Sequence, residues 1–247
     1  METFKILILL SLTINLSAQR PPKNLIHVEK AGTLLELISE EKMYQITQLT
    51  LTGELNSTDI ALLRQMAGGG TYEKRWKNNK VSSNKNDMGV LKSLNIENVI
   101  FVDDDGAYFE QESDRKYVYL SKKLAKAAYG TKKGEISDLM FYGCNKLQEI
   151  ILPNNITVIG DEAFSASGIT RIIIPQGVVK IGKKAFPASL TTIKIDNSNP
   201  PEIDTNTFIN VNKKSCKLLV PAGAKNDYMT EWGFENVTEQ KEKKSNQ

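Results

Sequence analysis

One histidine and two cysteines in 247 residues leave little from which to assemble a reactive centre. His27 is the sole imidazole, so no Ser/His/Asp or Cys/His constellation forms without it. It falls in the presumed N-terminal tether, which predicts a solvated side chain. Cys144 and Cys216 cannot build a disulfide framework. They lie 72 residues apart. That is three turns of the repeat described below, or roughly 14 Å at the usual strand spacing, beyond the roughly 7 Å reach of a bridge. Both read as buried free thiols, and two separated cysteines do not make a structural zinc site.

Charge of one sign is scarce too. A net charge of +3 is too small to argue for nucleic acid or an anionic membrane as partner. Gly68-Gly69-Gly70 is not followed by Lys-Ser or Lys-Thr, so it is no phosphate-binding loop. Asp103-Asp104-Asp105-Gly106 with Glu112 comes nearest to a calcium loop. Aligned on Gly106, the first ligand position would be Phe101, and the flanking helices are missing. It reads as a solvated acidic turn. No carboxylate pair stands out for hydrolysis. These absences predict no metal, no cofactor, no catalytic residue and no enzyme.

What the chain does hold is a period. Isoleucine followed five positions later by phenylalanine occurs at Ile136/Phe141, Ile159/Phe164, Ile181/Phe186 and Ile203/Phe208. The steps between successive Phe are 23, 22 and 22 residues. A second ladder keeps the same beat: Leu147-x-x-Ile150-x-Leu152, Ile169-x-x-Ile172-x-Ile174 and Leu190-x-x-Ile193-x-Ile195, continued by Leu218 and Val220. Pro153, Pro175 and Pro221 follow three of these segments. A period in the twenties predicts a repeat solenoid, in which each unit buries its apolar edge against its neighbours. Each repeat reads as a strand, a bend, a second extended stretch ending in Ile, and a helical turn ending in Phe. Ser137, Gly160, Gly182 and Asp204 are the expected helix N-caps of those turns.

Around this core the segments divide as follows. Residues 1–18 carry Lys5, the apolar run Ile6 to Leu12 and the small pair Ser17 and Ala18, the order of a secretory signal peptide. The mature chain is expected to begin near Gln19, with no transmembrane segment, since the apolar run is too short to span a bilayer. Residues 19–45 form a tether and an α-helical N-terminal cap, its helix starting near Thr33 in a Thr33-x-x-Glu36 capping box. The solenoid occupies 46–222, opening with Ile46-x-x-Leu49-x-Leu51 and Leu91-x-x-Leu94-x-Ile96. Asn56 to Asp59 offer caps for a helix over Ile60 to Met66. Insertions interrupt at about 68–88, a basic loop from Lys74 to Lys85, and at 103–133, rich in tyrosine. Residues 223–237, with Tyr228, Trp232 and Phe234, form a closing unit. The polar tail 238–247 reads as disordered.

The run Ile159-Gly160-x-x-Ala163-Phe164, then Ile169-x-x-Ile172-x-Ile174-Pro175 and Val178-x-x-Ile181-Gly182, resembles the BspA-type leucine-rich repeat. Phe141-x-Gly143-Cys144-x-x-Leu147 matches a common form of the same turn, and Val220-Pro221-Ala222-Gly223 with Tyr228 and Trp232 resembles the unit that often closes such proteins. The likeness is strong over Ile136 to Phe234 and weaker over Ile46 to Ile96. It implies a leucine-rich-repeat β-rich solenoid with short helical turns. It also implies a secreted or surface-exposed bacterial protein of the adhesion and interaction kind, without catalytic activity. The partner is a protein or other macromolecule whose identity does not carry over.

Strand alternation then picks a face. With Ile150 and Leu152 inward, Glu149 and Ile151 point outward. The same register exposes Arg171 and Ile173, Thr192 and Lys194, and Lys217 and Leu219. One outward row reads Ile151, Ile173, Lys194, Leu219, and its neighbour reads Glu149, Arg171, Thr192, Lys217. An apolar stripe flanked by charge on a sheet face is the expected binding surface. A spacer of the cell envelope without a dedicated ligand is the alternative, and a carbohydrate-active enzyme ranks behind both.

Overall fold

The computed structural model describes residues 24–69, 89–112 and 126–240. The leader at 1–18, the basic loop from Lys74 to Lys85, Tyr117, Tyr119 and positions 241–247 of the tail lie outside the described residues.

β1 (Leu25–Val28) is followed by two single-turn helices, α1 (Leu34–Leu37) and α2 (Glu40–Met43). β2 (Gln48–Leu55), α3 (Ser57–Met66) and β3 (Ser93–Phe101) come next, then the antiparallel pair β4 (Phe109–Glu112) and β5 (Lys126–Tyr129). The regular part alternates two kinds of short strand: β6 (Glu135–Ile136), β7 (Glu149–Ile151), β8 (Val158–Ile159), β9 (Arg171–Ile174), β10 (Lys180–Ile181), β11 (Thr192–Ile195), β12 (Glu202–Ile203) and β13 (Lys217–Val220). Helix α4 (Lys225–Trp232) and β14 (Val237–Glu239) end it. Among the described residues, β1, β2, β3, β7, β9, β11, β13 and β14 form one eight-stranded sheet in chain order, and β6, β8, β10 and β12 a second of four strands. Every pair in both is parallel.

The register is the sequence period made physical. Leu49 stands beside Leu94, Leu94 beside Ile150, then Ile172, Ile193, Leu218 and Val237 in turn. All seven are buried. One irregularity falls between Thr50 and Thr52, where β3 carries an extra residue, a bulge that shifts pairing from Thr50–Asn95 to Thr52–Asn98. Between the two sheets the Phe residues stack. Phe141–Phe164, Phe164–Phe186 and Phe186–Phe208 have centroids 5.7, 6.3 and 5.2 Å apart and are nearly parallel, at 1°, 8° and 9°. Met140, Ala163, Ala185 and Thr207 are the buried residues beside them. The stack ends against Trp232 at 4.9 Å and Phe234 at 5.1 Å. Both polar tips of this end are satisfied: the Tyr228 hydroxyl donates to Asn197 O at 3.0 Å and Trp232 Nε1 to Pro201 O at 3.2 Å.

The structure corrects several expectations. The stretches that reach each Phe are hydrogen-bonded turns, not α-helices. Leu139, Glu162 and Lys184, at equivalent places, have φ of 57°, 52° and 49°. A left-handed residue breaks the helical run and turns alternate N–H groups toward the next repeat. Phe141 N–H thus donates to Ala163 O at 2.7 Å, Phe164 N–H to Ala185 O at 2.8 Å, and Lys184 N–H to Asn206 O at 3.1 Å. Gly160 and Gly182 therefore cap nothing. An aspartate of the preceding repeat does that work: Asp138 Oδ1 accepts from Asp161 N–H at 2.7 Å, and Asp161 Oδ1 from Lys183 N–H at 2.8 Å. A Cβ on Gly160 would collide with Asp138, and one on Gly182 with Asp161, so both glycines clear the aspartate's path. Asp204 does cap its turn, accepting from Asn206 N–H at 2.9 Å.

The expected capping box at Thr33 and Glu36 does not form. The Thr33 hydroxyl donates to Lys30 O at 2.7 Å, and the Leu34 N–H is taken by Asp59 Oδ1 of α3 at 3.0 Å. The capping box sits at Asn56 and Asp59 instead, as the start of α3. His27 lies in β1, not in a tether, with Nδ1 2.9 Å from Thr52 Oγ1. Thr238 and Glu239, placed by composition in the tail, pair with β13. The acidic turn is structural: Asp104 accepts from Ser57 N–H at 3.3 Å and from its hydroxyl, and Asp103 Oδ1 from Lys133 N–H at 2.7 Å.

Candidate interaction face

Each outward residue is placed by its inward neighbour. Ile150, Ile172, Ile193 and Leu218 go into the core because water gains from their burial, and a parallel ladder keeps equivalent residues on one face. Ile151 therefore stands beside Ile173, Ile173 beside Lys194 and Lys194 beside Leu219. Glu149, Arg171, Thr192 and Lys217 line up the same way. At about 4.8 Å per strand, Ile151 and Leu219 are about 14 Å apart. Arg171, Ile173 and Lys217 are exposed, and Glu149, Ile151, Thr192, Lys194 and Leu219 are half-buried. Ile173 is the most open apolar member of the row, at 38%.

The face carries charge of both signs. Arg171 Nη2 meets Glu149 Oε1 at 3.2 Å, one repeat away, with both side chains in contact with water. Such a pair contributes little to stability, about 0–1 kcal/mol. Lys194 Nζ lies 2.6 Å from Asp196 Oδ1, which holds its ammonium along its own strand. Lys217 makes no ion pair among the described residues. The apolar stripe is thus two adjacent isoleucines, a tethered lysine and a leucine.

The register also extends both rows beyond the residues read from the repeat. Toward the N-terminus the first continues through Asn95 and Thr50 to Leu25, which is 51% exposed, and toward the C-terminus to Thr238. The second continues through Ser93 to Gln48. The sequence offered one usable signal for the first strand, the apolar run Leu25-Ile26-His27-Val28. It lacks the repeat's leading leucine and so escaped the periodic reading.

Buried groups away from this face complete the electrostatics. Arg64 of α3 is 1% exposed. Its Nη1 donates to Leu139 O and Met140 O, both at 3.0 Å, its Nη2 to Gly69 O at 3.0 Å, and its guanidinium lies 4.8 Å from the Phe109 ring. Burial lowers its pKa, opposed by the nearby Cys144 and Tyr108. Burial raises the Tyr108 hydroxyl, with Asp138 adding to the rise. Cys144 and Cys216 are buried free thiols, as expected. Among the described residues no group of three or more His, Cys, Asp or Glu could hold a metal. No helix among them is long and apolar enough to cross a membrane.

The family model described as BspA type leucine rich repeat region matches residues 113–238 in six copies, 126 of the 247 residues. The chain belongs to this family. A search of the curated proteins finds no match. The BspA-type repeats therefore account for β7, β9, β11 and β13, and with them all eight outward residues named above. β2 and β3 lie outside the matched residues, yet they pair into the same sheet in the same register. Leucine-rich repeats of this type belong to protein-interaction modules, and the family is typically not enzymatic.

Proposed function

We propose that this BspA-type chain is an exported bacterial solenoid that binds another protein or macromolecule through the outward face of its eight-stranded sheet. Secretion or display at the cell surface, in an adhesion or interaction role, fits the leader-like first 18 residues. In this reading α1 and α2 cover one end of the solenoid, and α4 with Tyr228, Trp232 and Phe234 closes the other. No chemistry, nucleotide or metal takes part.

The observation that carries the reading is the register. Strand after strand, Ile151, Ile173, Lys194 and Leu219 stand side by side, next to Glu149, Arg171, Thr192 and Lys217. Apolar area on that row gives about 25 cal/mol for each Å² removed from water, much of it offset by the cost of association. Modest affinity is expected unless the flanking charges pair with the partner. A spacer without a ligand would have no need of the stripe and would tolerate charge on it.

The test is the triple variant Ile151→Lys, Ile173→Glu, Leu219→Lys. It should fold, by circular dichroism and melting, because none of the three side chains is in the core. It should also lose the partner that the unmodified chain retains from envelope or host-cell fractions. A folded variant that keeps that partner would move the site elsewhere, with the basic loop from Lys74 to Lys85 the next candidate.

A further inference from the structure

A second site lies off the sheet face, where the hairpin of β4 and β5 packs against the turns that follow β6 and β8. A half-open cavity of about 220 Å³ is lined there by the rings of Phe109, Tyr129 and Tyr142, by Leu139, and by Asp138, Asp161 and Glu162. Phe109 lies 6.1 Å from Tyr129 at 46° and 5.8 Å from Tyr142 at 52°. Phe109 is thus tilted to both tyrosines, and the group is no flat platform. Among the described residues, no lysine, arginine or histidine lines it. Asp138 and Asp161 each commit Oδ1 to a backbone N–H of the following repeat. Among the described residues no ion pair reaches Asp138, Asp161 or Glu162. Lys183 and Lys184, in the next turn, are exposed, and neither makes an ion pair with them among the described residues. Arg64, whose guanidinium lies 4.8 Å from the Phe109 ring, is buried and does not line the cavity.

Aromatic rings present a negative face, and a group of tilted rings beside carboxylates is suited to a cation. The size narrows the class. Pockets for drug-sized ligands run to about 300–1,000 Å³, so this cavity admits one side chain or one small ion and no oligosaccharide or nucleotide. The tilt argues against a stacked sugar ring, which needs a flat platform. The positive φ of Leu139 and Glu162 carries no weight here, because Lys184 repeats it away from the cavity.

We propose that this cavity is a recognition site for an alkylated ammonium group, presented as a free small cation or as the side chain of a lysine on a protein. The rings of Phe109, Tyr129 and Tyr142 take its methyl or methylene groups, and Glu162 with the two aspartates balances its charge. The site is separate from the sheet face, so the two proposals stand or fall independently.

The experiment uses the full chain and NMR titration with choline, its neutral isostere 3,3-dimethylbutan-1-ol, methyl glucoside, and a short peptide carrying trimethyllysine. Choline should bind saturably and shift tyrosine ring resonances, while the neutral alcohol and the sugar should not. Glu162→Gln removes a carboxylate that makes no ion pair among the described residues, so it should fold and weaken choline binding about tenfold or more. Tyr142→Leu should do the same. The sheet-face triple variant should bind choline unchanged, which separates failure here from failure of the interaction face. Tighter binding of the peptide than of choline would identify a protein side chain as the source, the reverse a free ion, and both support the site. No saturable cation binding, equal binding of the neutral alcohol, preference for the sugar, or full affinity in Glu162→Gln would overturn it.

Discussion

At the scale of single residues, the molecule rests on a few side chains repeated. Phe164 sits between two parallel rings, 5.7 Å from Phe141 and 6.3 Å from Phe186, and is fully buried. Phe164→Ala should cost about 3–5 kcal/mol, the usual range for truncating a core Phe. Because contacts between repeats are nearest-neighbour, hydrogen exchange should rise first in β8 and β9 and their flanking turns. Unchanged melting would mean that the stack does not exist as described. The thiols make a different prediction. Burial pushes Cys144 from an ordinary 9.0 up to about 11 against a downward pull from Arg64, and pushes Cys216 to about 11 as well. A raised folded pKa means that the unfolded chain loses its proton first as pH climbs. Stability from this source is whole below pH 9 and is lost as pH rises through 11, at up to about 1.4 kcal/mol per unit for each thiol. Tyr108 and Tyr228, also raised by burial, act in the same direction. Denaturant unfolding between pH 8 and 11 should therefore show a shallower loss in Cys144→Ala than in the unmodified chain. Equal slopes would mean that the thiol is not held in its protonated form by burial.

At the scale of the element, the turn between the two sheets differs most from what the residue pattern suggests. Small residues before an Ala-Phe pair look like helix N-caps, yet Gly160 and Gly182 leave room for the aspartate of the repeat before. Gly182→Ala should destabilise by about 1–3 kcal/mol through overpacking, because its Cβ would meet Asp161 and the Gly160 backbone. Thermal melting checks this, and a variant as stable as the parent would show that the turn can relax. The strands were legible because burial imposes a two-residue alternation within each and a 22-residue beat between them. Ile150, Ile172 and Ile193 could be placed inward from that alone, and the outward row followed. The turns were not legible, since the carbonyl acceptors that organise them lie one repeat away in sequence. The end strands escaped for a related reason. Leu25–Val28 and Val237–Glu239 are recruited by an open sheet edge and carry no repeat signature of their own. The cavity beside Tyr142 joins residues from 109 to 162, a grouping that only the folded chain makes.

At the scale of the whole molecule, one parallel sheet runs from β1 to β14, with a bulge in β3, and carries the outward row across the seam where the family match begins. The non-repetitive segments share the repeats' hydrophobic core, and Arg64 of α3 adds hydrogen bonds to three backbone carbonyls. The outward face of the eight-stranded sheet is of mixed polarity. The proposed interaction face makes the most direct claim about this surface. Single cysteines at Ile151, Ile173 and Leu219 can be modified with a maleimide while the native Cys144 and Cys216 stay buried. Val179, exposed at 62% just before β10 of the second sheet, supplies the control position. With the retained partner bound, modification at 151, 173 and 219 should slow at least tenfold while the cysteine at 179 reacts at its free rate. Protection at 179 with undiminished reaction at 151, 173 and 219 would contradict the account and put the partner on the other sheet.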